Sequence, residues 1–305
     1  MIDVLVQMAG LILCGILWRV IQPGGLDHLQ TRKVLTTLVY YLLLPALVLS
    51  VLWQTPLGGN SVIIAVAAAA GILVGLLLSF VLCRLCKTTS AQTGALILAA
   101  TFPNATYLGL PVMEAAFGPW ARSVAIQYDL FACTPLLFSL GVLVAARFGS
   151  SQNSVLNIRQ ELFRIPALWA ALVAVILNLA QVPLPQTLNA LLELLQRGVV
   201  PLMLFSLGLS LQWQAGGWRL IPRILPAIGL RLLVIPALVL LFCSALGLQG
   251  ELRAAVVMIA AMPSMVIGLV LCDRFNLDVS LYATAVTVTT VVSMLSLPLW
   301  YGILL

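Results

Sequence analysis

Thr101-Phe102-Pro103-Asn104-Ala105-Thr106-Tyr107-Leu108-Gly109-Leu110-Pro111 is a stretch that cannot continue as one regular helix. Pro103 and Pro111 each lack a backbone donor and press on the preceding turn, and Gly109 weakens the helix between them. The stretch nevertheless sits inside residues 91–117, a segment apolar enough for a bilayer. Lipid cannot solvate freed N–H and C=O groups, so such a break persists only where protein or a wet cavity surrounds it. A second break of the same kind lies at Ala260-Ala261-Met262-Pro263-Ser264, with Gly268 beyond it, inside residues 252–274.

The rest of the chain explains why lipid is the relevant solvent. Of its 305 residues 62% are hydrophobic and 8% charged, against roughly 25% charged in a soluble domain. So few ionisable side chains cannot clothe a water-facing surface of this size. Windows of about 20 apolar residues recur throughout. They predict ten transmembrane helices at 2–21, 34–53, 61–83, 91–117, 122–146, 166–181, 188–211, 222–246, 252–274 and 279–303. The first has no basic leader and no small-residue cleavage site before Gln22-Pro23-Gly24-Gly25, so it reads as a retained helix. Tryptophans near predicted ends (Trp18, Trp53, Trp120, Trp213, Trp218, Trp300) fit an interfacial belt.

The net charge of +6 is spread singly over helix ends, a pattern of membrane orientation and not of nucleic-acid binding. Odd-numbered connections and their flanks hold Arg19, Arg32, Lys33, Arg84, Lys87, Arg147, Arg159, Arg164, Arg219, Arg223 and Arg274. Even-numbered ones hold only Arg122, Arg197 and Arg253. Positive residues stay inside, so both termini are expected on the outer, periplasmic side of a bacterial inner membrane. Residues 148–165 then form a cytoplasmic linker between five helices in 1–147 and five in 166–305. An odd number of passes inverts the second half, as in an inverted-topology repeat. Tyr40 to Pro45 is echoed by Gly198 to Pro201, and Ala99 to Asn104 by Ala260 to Ser264.

Half-helices that begin near the midplane present unpaired N–H groups and positive dipole ends, which suit a carboxylate or another anion. Thr101, Asn104, Thr106, Gly109, Ser264 and Gly268, with Pro103 and Pro263, are therefore the candidate substrate-binding residues. Asp129, about 10 Å into its helix, is costly there unless it faces a cavity or a partner. It is a candidate for proton coupling, or else an interfacial acid paired with Arg122. Arg231 is expected to snorkel to the interface, with contact to an anionic substrate as the alternative. Glu114, Asp273 and Arg274 are expected at the interface, where they would form gates.

Phe102 to Pro111, followed by Phe117-Gly118, resembles the fourth helix of the auxin efflux carrier family. Ala260 to Ser264, the polar-small run from Ala283 to Ser296 and Leu297-Pro298-Leu299-Trp300 resemble its last two helices. The resemblance implies a ten-helix fold of two inverted repeats crossing at Pro103 and Pro263. It also implies transport of organic anions, such as auxin in plants and malate or malonate in bacteria. Ser264 stands where the plant carriers have asparagine, so auxin itself is not implied.

An enzyme is disfavoured: the single histidine, His28, falls in the first predicted cytoplasmic loop, and no hydrolase or zinc-protease motif occurs. Cys83-x-x-Cys86 has neither a second pair nor a nearby histidine, so no metal and no cofactor are expected. A sodium-coupled symporter of the bile-acid type is the alternative, with Thr284, Thr287, Thr289, Thr290 and Ser293 as further oxygen ligands. A channel is a more distant one. The expected partners are a small organic anion, a proton or sodium ion, the bilayer and a second copy of the chain; nucleic acid is not expected.

Overall fold

A computed structural model describes residues 2–150, 163–211 and 217–305, and every regular element among them is a helix. Helix α1 spans Ile2–Ile21, α2 His28–Gln54 and α3 Gly59–Leu85. The first break separates α4, Ser90–Thr101, from α5, Leu110–Phe117; α6 then runs Ala121–Phe148. Next come α7 (Pro166–Leu179), α8 (Gln186–Ser210) and α9 (Ile221–Ala245). The second break separates α10, Gly250–Ala260, from α11, Gly268–Arg274, and α12 is Val279–Leu304. Most of the expected linker, and Trp213, lie outside the described residues.

Six of these helices (α2, α3, α6, α8, α9 and α12) are apolar and 25 to 28 residues long. At 1.5 Å per residue each reaches about 40 Å, enough for a hydrocarbon core of about 30 Å. The chain is an integral membrane protein. Its outer faces carry exposed Leu17, Leu77, Leu241 and Leu295, while α4 and α10 are wrapped on all sides: Ala95 to Ala100 and Ala254 to Ala260 are buried without exception.

Helix α2 starts earlier than its hydropathy suggests. The Asp27 carboxylate caps it, accepting from the Leu29 and Gln30 N–H groups at 3.1 and 3.2 Å. His28, expected in a loop, therefore opens a helix, and Arg32 and Lys33 lie in its first turns.

Prolines shape four turns of the long helices in the same way, while a fifth π turn at Leu137–Gly141 has no proline after it. A π-helical turn occupies Val39–Leu43, Ala105–Gly109, Asp129–Cys133 and Leu230–Val234, and each ends two residues before a proline: Pro45, Pro111, Pro135 and Pro236. A proline ring clashes with the carbonyl four residues back, and widening the preceding turn relieves that clash. The carbonyl freed by Pro236 is that of Leu232, and it accepts the indole N–H of Trp300 at 2.8 Å. Trp300 is thus buried as a backbone partner, as is Trp53, which donates to Val182 O at 2.8 Å. Both indole N–H groups are thus spent on backbone carbonyls.

Helix packing pairs the halves crosswise. Helix α1 lies on Val199–Ser210 of α8, while α7 lies on Leu44–Gln54 of α2. Gly15 and Gly208 bring α1 and α8 so close that a Cβ on either would strike the other helix's backbone. Arg19 at the end of α1 donates to Leu211 O at 2.7 Å, capping α8. Asn178 at the end of α7 donates to Leu52 O, Trp53 O and Thr55 O at 3.1, 2.8 and 2.7 Å, capping the end of α2. Helix α3 packs on α4 and α9, α9 packs on α10, α4 touches α12, and α10 touches α6.

Candidate functional site

The two breaks meet. Phe102-Pro103-Asn104 runs against Pro263-Ser264-Met265 as a short antiparallel bridge. Asn104 N–H donates to Pro263 O at 2.8 Å, and Met265 N–H donates to Phe102 O at 3.1 Å. Each break thereby satisfies backbone groups that the other has freed, which is how non-helical backbone is tolerated at this depth.

Helices α4 and α10 both end at the bridge, where their last carbonyls would lie unpaired in a medium of low dielectric. Arg231, 0% exposed and carried by the π turn of α9, answers both. Its Nη1 donates to Thr101 O at 2.6 Å and more weakly to Ala100 O at 3.4 Å; its Nη2 donates to Ala260 O. A cation at two negative helix ends is electrostatically favourable. The side chain therefore does not snorkel, and it does not line the cavity beside the bridge.

That cavity has a volume of about 70 Å³, with Asn104, Thr106, Tyr107, Asp129, Thr134 and Met265 in its wall. Asn104 is 2% exposed. Its Oδ1 accepts the Tyr107 N–H at 3.2 Å, while its Nδ2 is buried with no partner among the described residues. Asp129 is buried on α6. Its carboxylate accepts from the Thr106 hydroxyl and, at 3.1 Å, from the Thr134 hydroxyl. Arg122, the alternative partner, is ion-paired with Glu114 instead.

The cavity has two approaches. On one side a vestibule of about 220 Å³ shares Tyr40, Tyr107, Val266 and Ile267 with it and carries Arg32. On the other side Leu44, Val48, Leu110, Ile126 and Leu130 close around a void of about 10 Å³ next to Asp129. One turn further along α2 and back along α6 lies a basin of about 560 Å³ lined by Ser50, Gln54, Arg122, Ser123 and Gln127.

Of the residues singled out from sequence, Asn104, Thr106 and Asp129 line the cavity, while the others build the crossing. Ser264 is 1% exposed; its hydroxyl donates to Ala99 O at 2.6 Å and its N–H to Thr289 Oγ1 at 3.2 Å. Thr101 Oγ1 lies 3.3 Å from Ser79 Oγ. Pro103 and Pro263 sit in the bridge itself. A Cβ on Gly268 would overlap the Tyr282 hydroxyl, and one on Gly109 would crowd Ile259 and Met262. Thr284, Thr289, Thr290 and Ser293 each donate to a carbonyl three or four residues back in α12. Tyr40, Tyr107, Thr134 and Arg32 were not foreseen. For Tyr40 and Tyr107 the signal was a proline five and four residues later, and for Thr134 the proline next to it; Arg32 had none.

Comparison with known proteins extends along the whole chain. The family described as membrane transport protein matches residues 4–155 and 151–301. An uncharacterized transporter of Methanothermobacter thermautotrophicus is 31% identical over 298 residues, covering 96% of this chain and 95% of its own. One from Methanocaldococcus jannaschii is 30% identical over 222 residues, 72% of this chain and 71% of its own. The uncharacterized transporter YfdV of Escherichia coli K12 is 24% identical over 218 residues, 70% of this chain and 69% of its own.

Proposed function

The chain belongs to the membrane transport protein family, and on that premise we propose that it is a secondary active transporter of a small organic anion, working by alternating access. The observation that carries this reading is the pairing, in one buried cavity, of the unpartnered Asn104 amide N–H₂ with the Asp129 carboxylate. The amide is a donor awaiting an acceptor, and a substrate carboxylate supplies one. An anion arriving beside Asp129 is accommodated at least cost when Asp129 carries a proton, because two adjacent carboxylates repel. Substrate and proton then travel together. The cavity, closed by apolar residues toward the basin and sharing the walls Tyr40 and Tyr107 with the vestibule, has the character of one state of such a cycle.

The same reading takes the chain as two inverted five-helix repeats, residues 1–147 and 166–305 joined by 148–165, with α4–α5 and α10–α11 each counting as one of ten passes. Three exchanges support it. Helix α1 packs on α8 as α7 does on α2; Arg19 caps α8 as Asn178 caps α2; and α4 meets α12 as α10 meets α6. Basic residues then put the termini outside the cytoplasmic membrane. Such a carrier could work as a monomer or as a pair of copies.

Sodium in place of the proton is the second reading, favoured by the two threonine hydroxyls already turned to Asp129. Purified protein in liposomes decides between them. Uptake of labelled malate or malonate should follow an imposed pH gradient, and Asp129→Asn should make the residual rate indifferent to pH. Uptake driven by sodium alone would replace the proton. No uptake of any small carboxylate under either gradient would refute the anion reading.

A further inference from the structure

We propose that the vestibule is a carboxylate-binding antechamber in which Arg32 captures the substrate before it reaches the Asn104–Asp129 cavity, an inference that rests on the organic-anion reading above.

The vestibule has a volume of about 220 Å³, room for a carboxylate of several heavy atoms, whereas the inner cavity at about 70 Å³ holds little more than the reacting end. Its lining includes Arg32, Thr37, Tyr40, Tyr107, Ser210 and Ile267, and no acidic residue lines it. Arg32 is half-buried in the first turns of α2, where its carbonyl accepts the Thr36 hydroxyl at 2.8 Å, and its guanidinium has no ion pair or hydrogen bond among the described residues. Asp27, the nearest acid along the chain, is engaged with the Leu29 and Gln30 N–H groups and with His28. A guanidinium held in a part-dry pocket without a counter-charge is a fork of donors matched to a carboxylate.

The placement also gives a direction of transfer. Tyr107 lines both the vestibule that carries Arg32 and the cavity that holds Asp129. Tyr40 and Tyr107 line both chambers, and both sit in π turns that precede prolines, where a helix can change its winding without losing its ladder. A carboxylate paired with Arg32 is therefore one tyrosine pair away from the Asn104 amide.

The test is a binding titration of the purified full-length chain in detergent with acetate, malonate and malate, read by calorimetry, with propylammonium as the cationic control. Wild type should bind at least one of the three carboxylates and not the amine. Arg32→Gln should weaken that binding about tenfold or more, the value of one charge-assisted pair. Arg32→Lys, which keeps the charge but not the fork, should fall between them and shows that the site tolerates substitution. Asn104→Ala should retain antechamber binding while losing transport, so failure of the inner site and failure of the antechamber are read separately. Unchanged affinity in Arg32→Gln, or no carboxylate bound by wild type, would overturn the proposal.

Discussion

At the first break α6 presents Asp129, itself held by the Thr134 hydroxyl, to Thr106; at the second, α12 presents Thr289 to the Ser264 N–H and Tyr282 to Met265 O. The two breaks are joined by one bridge and capped by one arginine. The spacing of 160 residues that separates Pro103 from Pro263 also relates Asn104 to Ser264, Thr106 to Val266 and Asp129 to Thr289. Every cavity-lining polar group on the first side thus has a smaller, apolar or fully engaged counterpart on the second. Of the two residues that follow the crossing prolines, Asn104 keeps an unpartnered donor among the described residues, while the hydroxyl of Ser264 donates to Ala99 O. On this difference we propose that recognition belongs to the first break and anchorage to the second.

The hardest way to break this comparison is to remove what the two sides share. Arg231→Met leaves the carbonyls of Thr101 and Ala260 buried without a donor, at a cost on the order of 3 kcal/mol. We expect a strongly lowered melting temperature in detergent, with both half-helices loosened. An unchanged melting temperature would show that the cap is dispensable.

A smaller effect separates the two sides. Gly268→Ala drives a methyl into the buried Tyr282 hydroxyl and its bond to Met265 O, an overpacking worth about 1–3 kcal/mol. Gly109→Ala meets only the ends of Ile259 and Met262, at 3.2 and 3.4 Å, besides its own turn at Asn104 O. It should cost less, and its effect should fall on transport through the neighbouring cavity. Melting curves of the two variants side by side test the anchorage role; equal losses would erase the distinction.

The breaks, the membrane setting and the polar candidates could be read from the residues because Pro103, Pro263 and their neighbours violate a strong rule in lipid. The roles of Ser264 and Gly268 could not. Whether a serine hydroxyl faces a cavity or a carbonyl depends on where Ala99 lies, and that is a property of the crossing alone. Arg231 misled for a similar reason. Snorkelling is the default when nothing is known of its surroundings, whereas two helix ends converge on it here. The π turns were accessible in principle from Pro45, Pro111, Pro135 and Pro236, but a proline read as a helix breaker predicts a gap and not a widened turn. Early α2 residues looked like loop for want of apolar character, although Asp27 at the cap was a usable signal.

The most direct test of the division between the breaks compares malonate uptake by liposomes carrying wild type, Asn104→Ala or Ser264→Ala. Ser264→Ala loses one hydrogen bond, about 1 kcal/mol of stability, and should transport at close to the wild-type rate. Asn104→Ala, which loses its bond from the Tyr107 N–H, should shift the melting curve no more than Ser264→Ala does and transport nothing above the background of empty liposomes. Full activity in Asn104→Ala, or loss of transport in a folded Ser264→Ala alone, would contradict the assignment of recognition to the first break.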